Sequence, residues 1–242
     1  MIDKNKRRIL AVILCLAIFV AGCQVGGPKV SKIAGLKGCW NFDEGKGNIA
    51  KNIVGTNHGE IKGGLKWVDG KCGKALQFNG EGYVSVKHED YFNSPTFTVY
   101  AWTKLKDVSD YHYIVWKNGP EFPDIGPGRR VDIWVEIDGA VNIMWHNEDG
   151  LEERLYGQAK ITDDKWHYVV EVYDGEKIKL YIDGSLDVQE KPSSKLPAEN
   201  NEALWIGARP GGVAATGIID EVCFYDRALS EEEIKTLSKE KM

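Results

Sequence analysis

The carboxylates of this 242-residue chain fall into three groupings that could do chemistry: Glu136-Ile137-Asp138, Asp220-Glu221 and Glu231-Glu232-Glu233. Retaining glycoside hydrolysis needs two carboxyls about 5–5.5 Å apart, a spacing that alternate positions on one strand supply. Glu136 and Asp138 alternate, but Asp138-Gly139 reads better as a hairpin turn. Asp220 and Glu221 are adjacent and point to opposite faces of a strand. The three glutamates follow Ser230, and Glu233 completes an S-x-x-E capping box, so they read as helix punctuation. No nucleophile-elbow pattern, zinc-type His/Cys spacing or C-x-x-C motif is present. The chain is therefore expected not to be an enzyme.

A second grouping suits binding. Aromatic faces cover sugar C–H surfaces, while carboxylate, amide and guanidinium groups bond the hydroxyls. Trp116, Trp134, Arg129, Arg130, Asp132, Glu136 and His146 lie together in the middle of the sequence, beside the Gly/Pro-rich loop 117–130. These seven residues are the expected ligand face.

Strands must position them. In VDIWVEI, Val131, Ile133, Val135 and Ile137 alternate with Asp132, Trp134 and Glu136; in HYVVEVY, Tyr168, Val170 and Val172 alternate with His167, Glu171 and Tyr173. The first member of each set is expected on the core. Asp-Gly at 138–139, 174–175 and 183–184 suits type I′ hairpin turns, pairing 131–137 with 141–146, 167–173 with 177–182, and that strand with 186–190. Leu229 and Ile234 form the staple of the capped helix. The expectation is an all-β, two-sheet antiparallel sandwich or jelly roll with a short C-terminal helix. Trp40, Phe42, Phe78, Phe97, Trp102 and Trp166 are its expected core aromatics.

The N-terminus reads as a targeting segment. Lys4, Lys6, Arg7 and Arg8 precede an apolar run over 9–22 that is short for a membrane span. Val20-Ala21-Gly22-Cys23 resembles the lipobox of bacterial lipoproteins, which implies cleavage before Cys23 and anchoring in a lipid bilayer through the acylated cysteine. If the cell has two membranes, Gln24 resembles the sorting residue of proteins sent to the outer membrane or cell surface. Residues 1–22 are then signal, 23–34 tether and 35–242 the domain. Loss of four cations and one anion with the signal moves the formal charge from −5 to −8. An acidic body without a long basic run argues against nucleic acid as partner. The exported compartment permits one disulfide among Cys39, Cys72 and Cys223.

Five segments then match one pattern in order: GLKGCWNFDEGKG (35–47), GKCGKALQFNGEGYVSV (70–86), FTVYAWTK (97–104), DKWHYVVEVYDGEKIKLYIDG (164–184) and GIIDEVCFYDRALSEEEI (217–234). They resemble the bacterial LamG-like jelly-roll domains of the concanavalin A-like lectin/glucanase superfamily. The resemblance implies two curved antiparallel sheets with first and last strands adjacent, and an extracellular glycan or glycoconjugate ligand. It leaves open an envelope protein as partner. Paired terminal strands would let Cys39 meet Cys223 in a disulfide, with Cys72 left over. One structural calcium is also implied, with Asp43, Glu44, Asn52, Asn57 and Asp220 at the matching positions, although the loop 52–57 lacks a carboxylate and a glycine of the family pattern. Related glucanases carry Glu-x-Asp-x-Glu or Glu-x-Asp-x-x-Glu; after Glu136 and Asp138 this chain has Ala140 and Val141 where the second glutamate would stand.

Overall fold

A computed structural model describes residues 33–106, 110–117, 131–147, 149, 151–193, 197–209 and 211–239. The signal segment, Cys23, Arg129 and Arg130 lie outside the described residues, so those expectations have no structural counterpart here. Among the described residues no helix is long and apolar enough to cross a membrane.

Short strands follow one another along the chain. The first six are β1 (Leu36–Trp40), β2 (Ile49–Ala50), β3 (Gly59–Lys62), β4 (Lys66–Asp69), β5 (Lys74–Asn79) and β6 (Tyr83–Val86). The central ones are β7 (Phe97–Leu105), β8 (His112–Lys117), β9 (Val131–Val135), β10 (Ala140–His146) and β11 (Glu152–Lys160). The remainder are β12 (Trp166–Tyr173), β13 (Ile178–Ile182), β14 (Ser185–Glu190), β15 (Leu204–Ile206) and β16 (Thr216–Tyr225), followed by the helix α1 (Glu231–Leu237). They form two antiparallel sheets of eight strands. The first runs β14-β13-β12-β7-β16-β5-β4 with β1 paired to β16; the second runs β11-β10-β9-β8-β15-β6-β3-β2. This is the all-β two-sheet sandwich with one C-terminal helix, and its first and last strands are neighbours.

Alternation along the strands sends one set of side chains between the sheets. Val131, Ile133 and Val135 of β9, Val141, Ile143 and Trp145 of β10, and Trp40, Phe42, Phe78 and Phe97 all enter the inter-sheet core. In β16, Ile219, Val222 and Phe224 do the same, although their spacing breaks strict alternation. A bulge between Asp220 and Cys223, with Glu221 at φ 51°, absorbs the extra residue.

Three expectations are corrected. In β12 the inward set is Val169, Glu171 and Tyr173. Tyr168, Val170 and Val172 point to the opposite side, where Tyr100, Trp102, Tyr181 and Tyr225 and the α1 residues Ile234 and Leu237 form a second apolar layer. Both faces of β12 are buried, so alternation alone could not say which one meets the other sheet. For the same reason Trp102 belongs to this second layer, and Trp166 only leans on it, partly buried. Of the three Asp-Gly turns, only Asp183-Gly184 has both residues at positive φ (54° and 80°), as type I′ requires. At 138–139 the Gly139 N–H closes the turn on the Glu136 carbonyl, 2.8 Å away, and β9 ends at Val135, leaving Ile137 exposed in the turn.

Helix α1 is set by its cap. Ser230 accepts from the Glu233 N–H and Glu233 accepts from the Ser230 N–H, the reciprocal capping box. Leu229 and Ile234 flank that cap and are buried, which fixes the helix over the outer face of the first sheet.

Candidate functional site

The outer face of the second sheet carries the candidate site. Registers place Tyr113 beside Trp134, Trp134 beside Asn142, and Asn142 beside Tyr156, a row running across β8, β9, β10 and β11. A neighbouring pair sets Trp116 beside Asp132, with Trp205 on the other flank of Trp116. Because inward and outward side chains alternate, the Val/Ile ladder of β9 and β10 forces these residues outward together. Tyr113, Trp116, Trp134 and Met144 pack as one cluster, flanked by Trp205 and Val213.

A concave pocket of ≈ 270 Å³ opens on this cluster. Trp116, Asp132, Trp134 and Glu136 line it, joined by Tyr111, Tyr113, Met144, Glu152, Arg154 and Arg209. The two tryptophans are only 4% and 3% exposed, so they form its floor and not the open platforms expected from the sequence. Asp132 is wholly buried. His146 is buried at the end of β10 opposite Glu152, outside the pocket lining.

Polar groups on the rim are held in place. The Trp134 indole N–H donates to Glu136 Oε1 (2.9 Å), and the Asn142 amide donates to the same oxygen (3.1 Å). Arg154 lies over the Trp134 ring, 5.4 Å from its centroid, and its Nη2 pairs with Glu152 at 3.0 Å. Its Nη1 donates to the Tyr156 hydroxyl (3.3 Å). Arg209 sits over Tyr113, 5.2 Å from the ring centroid. Tyr111, Tyr113, Glu152, Arg154 and Arg209 were not expected. Glu152, Arg154 and Arg209 stand on strands and loops remote in sequence, and only the pairing of β10 with β11 could have pointed to the first two.

Asp138 does not face Glu136 along a strand. It lies in the turn, its carboxylate accepting the Ala140 N–H (3.0 Å) and pairing with Lys160 (3.1 Å). A wider groove of ≈ 490 Å³ lies over β5, β7 and β16, lined by Gln77, Lys104, Asp164 and Thr216 among others, with no tryptophan or tyrosine in its wall.

The residues expected around calcium divide into two groups. Asp220 is fully buried, and its Oδ2 accepts the Lys71 N–H (2.9 Å) and, at 3.4 Å, the Cys72 N–H. Asp43 accepts the Lys74 N–H (2.9 Å) and the Asn41 amide (2.8 Å). The two carboxylates thus hold opposite ends of the 70–74 turn. Burial pushes the Asp220 carboxyl well above the usual carboxylate range against those amides, and Glu221 is pushed up by burial, then by Asp220 and Asp43. Glu44 accepts the Lys51 N–H. Asn52 and Asn57 form the other group: Asn52 Oδ1 accepts the Cys39 and Val54 N–H groups, and Asn57 Oδ1 accepts the Asn52 amide.

Cys39 and Cys223 stand opposite each other in the β1/β16 register with their sulfurs bonded. Cys72, expected to be left over, is not a free thiol. Among the described residues, the His, Cys, Asp and Glu atoms that lie within mutual ligating reach are those of Cys39, Cys223 and Glu221, and the two sulfurs are already joined.

The fold resembles that of several solved carbohydrate- and receptor-binding domains. One is domain 4 of AbnA, an extracellular arabinanase of Geobacillus stearothermophilus solved with arabinotriose: TM-score 0.67, 19% identity, covering 84% of this chain and 98% of that one. Another is the binding domain of Paraclostridial Mosquitocidal Protein 1: TM-score 0.66, 18% identity, 84% and 52%. A third is the receptor binding domain of botulinum neurotoxin C/D mosaic serotype: TM-score 0.65, 13% identity, 85% and 51%. The chain spans about half the length of the two toxin domains. A search of curated proteins returns no match. Residues 78–235 match the family model Laminin_G_3, described as concanavalin A-like lectin/glucanases superfamily.

Proposed function

The chain belongs to the concanavalin A-like lectin/glucanases superfamily, and from that premise we propose that it is a non-catalytic surface module that binds carbohydrate or glycoconjugate. The observation that carries this reading is the pocket on the second sheet, floored by Trp116 and Trp134 and rimmed by Glu136, Glu152 and Arg154. Apolar rings beside oriented polar groups match the two faces of a sugar. The non-catalytic part rests on Asp138, which is held in a turn by Lys160 and leaves Glu136 without a strand partner. A glycan array with the soluble domain tests the reading. Binding competed by free sugar supports it; binding only to envelope protein, indifferent to sugar, moves the function to the alternative of an adhesion or assembly module.

The same proposal includes export and anchoring through an acylated Cys23, in the outer membrane or at the cell surface where two membranes exist. Its support is the lipobox-like Val20-Ala21-Gly22-Cys23. Incorporation of labelled palmitate, lost in Cys23→Ser, is the expected result.

A calcium ion at the Asp43/Asp220 corner is a second reading. After burial, the nearby Asp43 charge raises both Asp220 and Glu221, and no Lys or Arg side chain bonds Asp220 among the described residues. Hard oxygen donors of like charge suit calcium, and Asp43 and Asp220 would hold it through the remaining lone pairs of oxygens that already accept N–H groups; Asn52 and Asn57 carry no charge and bond amides. Calcium would supply charge neutralisation there. Heat on titration and a raised melting temperature, both lost in Asp220→Asn, support the metal; neither effect in the wild type removes it.

A further inference from the structure

The carboxylate of Glu136 is oriented for a particular kind of ligand. Trp134 Nε1 and Asn142 Nδ2 both donate to Oε1. The other oxygen, Oε2, has no partner among the described residues. Two fixed donors on one oxygen leave the second as an oriented acceptor at the pocket rim. An ionised acceptor bonds hydroxyl donors strongly and repels anions.

The rest of the wall agrees. The described lining carries three carboxylates, Asp132, Glu136 and Glu152, against two guanidiniums, Arg154 and Arg209. The terminal nitrogens of Arg154 are committed: Nη1 donates to Tyr156, Nη2 pairs with Glu152 and reaches the Met144 sulfur, the unpartnered Nε is buried, and the flat face lies on Trp134. A carboxylated or sulfated sugar would need such a fork free and two-pronged. It would also meet the Glu136 oxygen head on.

Ligand length follows from the row Tyr113–Trp134–Asn142–Tyr156. Adjacent strands lie about 4.8 Å apart, so the row spans about 14 Å. Its inner members are nearly covered, while Tyr156 is 61% exposed at the end of the row. An exposed ring in line with the pocket offers a stacking face to a sugar residue beyond it.

We infer that the site takes a neutral oligosaccharide, with Glu136 Oε2 accepting a sugar hydroxyl, Asn142 acting as the residue that positions Glu136, and Tyr156 contacting a further sugar unit outside the pocket. This rests on the carbohydrate reading above and narrows it.

The test is titration of the soluble domain with arabinotriose and neutral xylo- and gluco-oligosaccharides, alongside oligogalacturonate, sialyllactose and a sulfated disaccharide. Binding among the neutral probes only is expected. Glu136→Gln keeps the shape and removes the charge, and should weaken binding roughly tenfold or more. Tyr156→Phe, which keeps the exposed ring, should retain binding of longer oligosaccharides, whereas Tyr156→Ala should weaken them severalfold more than it weakens disaccharides. Preference for the acidic probes overturns the inference while leaving the carbohydrate reading intact, as does a folded Glu136→Gln variant with unchanged affinity. No binding to any saccharide overturns the carbohydrate reading and the inference with it.

Discussion

The indole N–H of Trp134 points at Glu136 Oε1, 2.9 Å away, across a two-residue step at the end of β9. The tryptophan therefore has two roles at once: its ring floors the pocket and its nitrogen fixes the acid at the rim. Trp134→Phe keeps most of the ring and removes the donor. We expect this variant to bind sugar about tenfold more weakly and to melt several degrees lower, because one hydrogen bond to a charged group contributes about 1.5–3 kcal/mol and a nearly covered ring loses atoms. Calorimetric titration beside a thermal melt separates the two effects. Equal loss of binding and of folding would make the contact merely structural.

The helix latch predicts an acid-sensitive C-terminus. Arg227 grips both oxygens of Glu233, at 2.9 Å and 2.6 Å, and with the Ser230 bonds this pulls the Glu233 carboxyl down to about 2. A depressed carboxyl contributes stability above its unfolded value of 4.5, and that contribution is lost as pH falls toward 2. Ser230→Ala should cost about 1 kcal/mol. Melting curves taken across the acid range should show Glu233→Gln flattening the acid slope, and an unaltered slope would assign the sensitivity elsewhere.

His167 gives the opposite sign. Its Nδ1 lies 2.8 Å from Asp183 and its Nε2 2.9 Å from Asp163, an arrangement both ring nitrogens satisfy only as the imidazolium. The Asp183 bond, opposed by burial and helped by Asp163, raises the His167 value above 6.5. Its contribution is complete below 6.5 and disappears as pH rises through the raised value. The pairs are partly open to solvent, so we expect about 1 kcal/mol or less. His167→Gln should reduce the fall in melting temperature on the alkaline side of neutrality; a fall of the same size in both proteins counts against the clamp.

For the cysteines, peptide mapping without reductant should find the Cys39 and Cys223 peptides joined and released by reduction. Cys223→Ser should lower stability by about 2–5 kcal/mol. Recovery of both peptides as free thiols from exported protein would refute the pair.

Local signals carried much of this fold. The Val131/Ile133/Val135 ladder, the Asp183-Gly184 turn and the Ser230/Glu233 box each depend on neighbours in sequence, and each is seen in the structure. What alternation cannot show is what lies above each face. β12 has apolar residues on both sides, and only the position of α1 reveals that Tyr168 and Val170 meet a second layer. The pocket was half legible for a related reason. Trp116, Asp132, Trp134 and Glu136 share one short stretch, whereas Arg154 and Tyr156 arrive through the β10/β11 register, which shifts between Ala140 and Asn142. His146 follows the same outward alternation as Met144 yet is buried away from the pocket lining, because alternation fixes a side and not a depth.

Glycan binding on the outer face of the second sheet is decided by a glycan array comparing the wild-type domain with a Glu136→Ala/Arg154→Ala double variant whose melt confirms that it is folded. A saccharide signal for the wild type that disappears in the variant is expected. An equal signal from both proteins would contradict it and place the ligand on another surface.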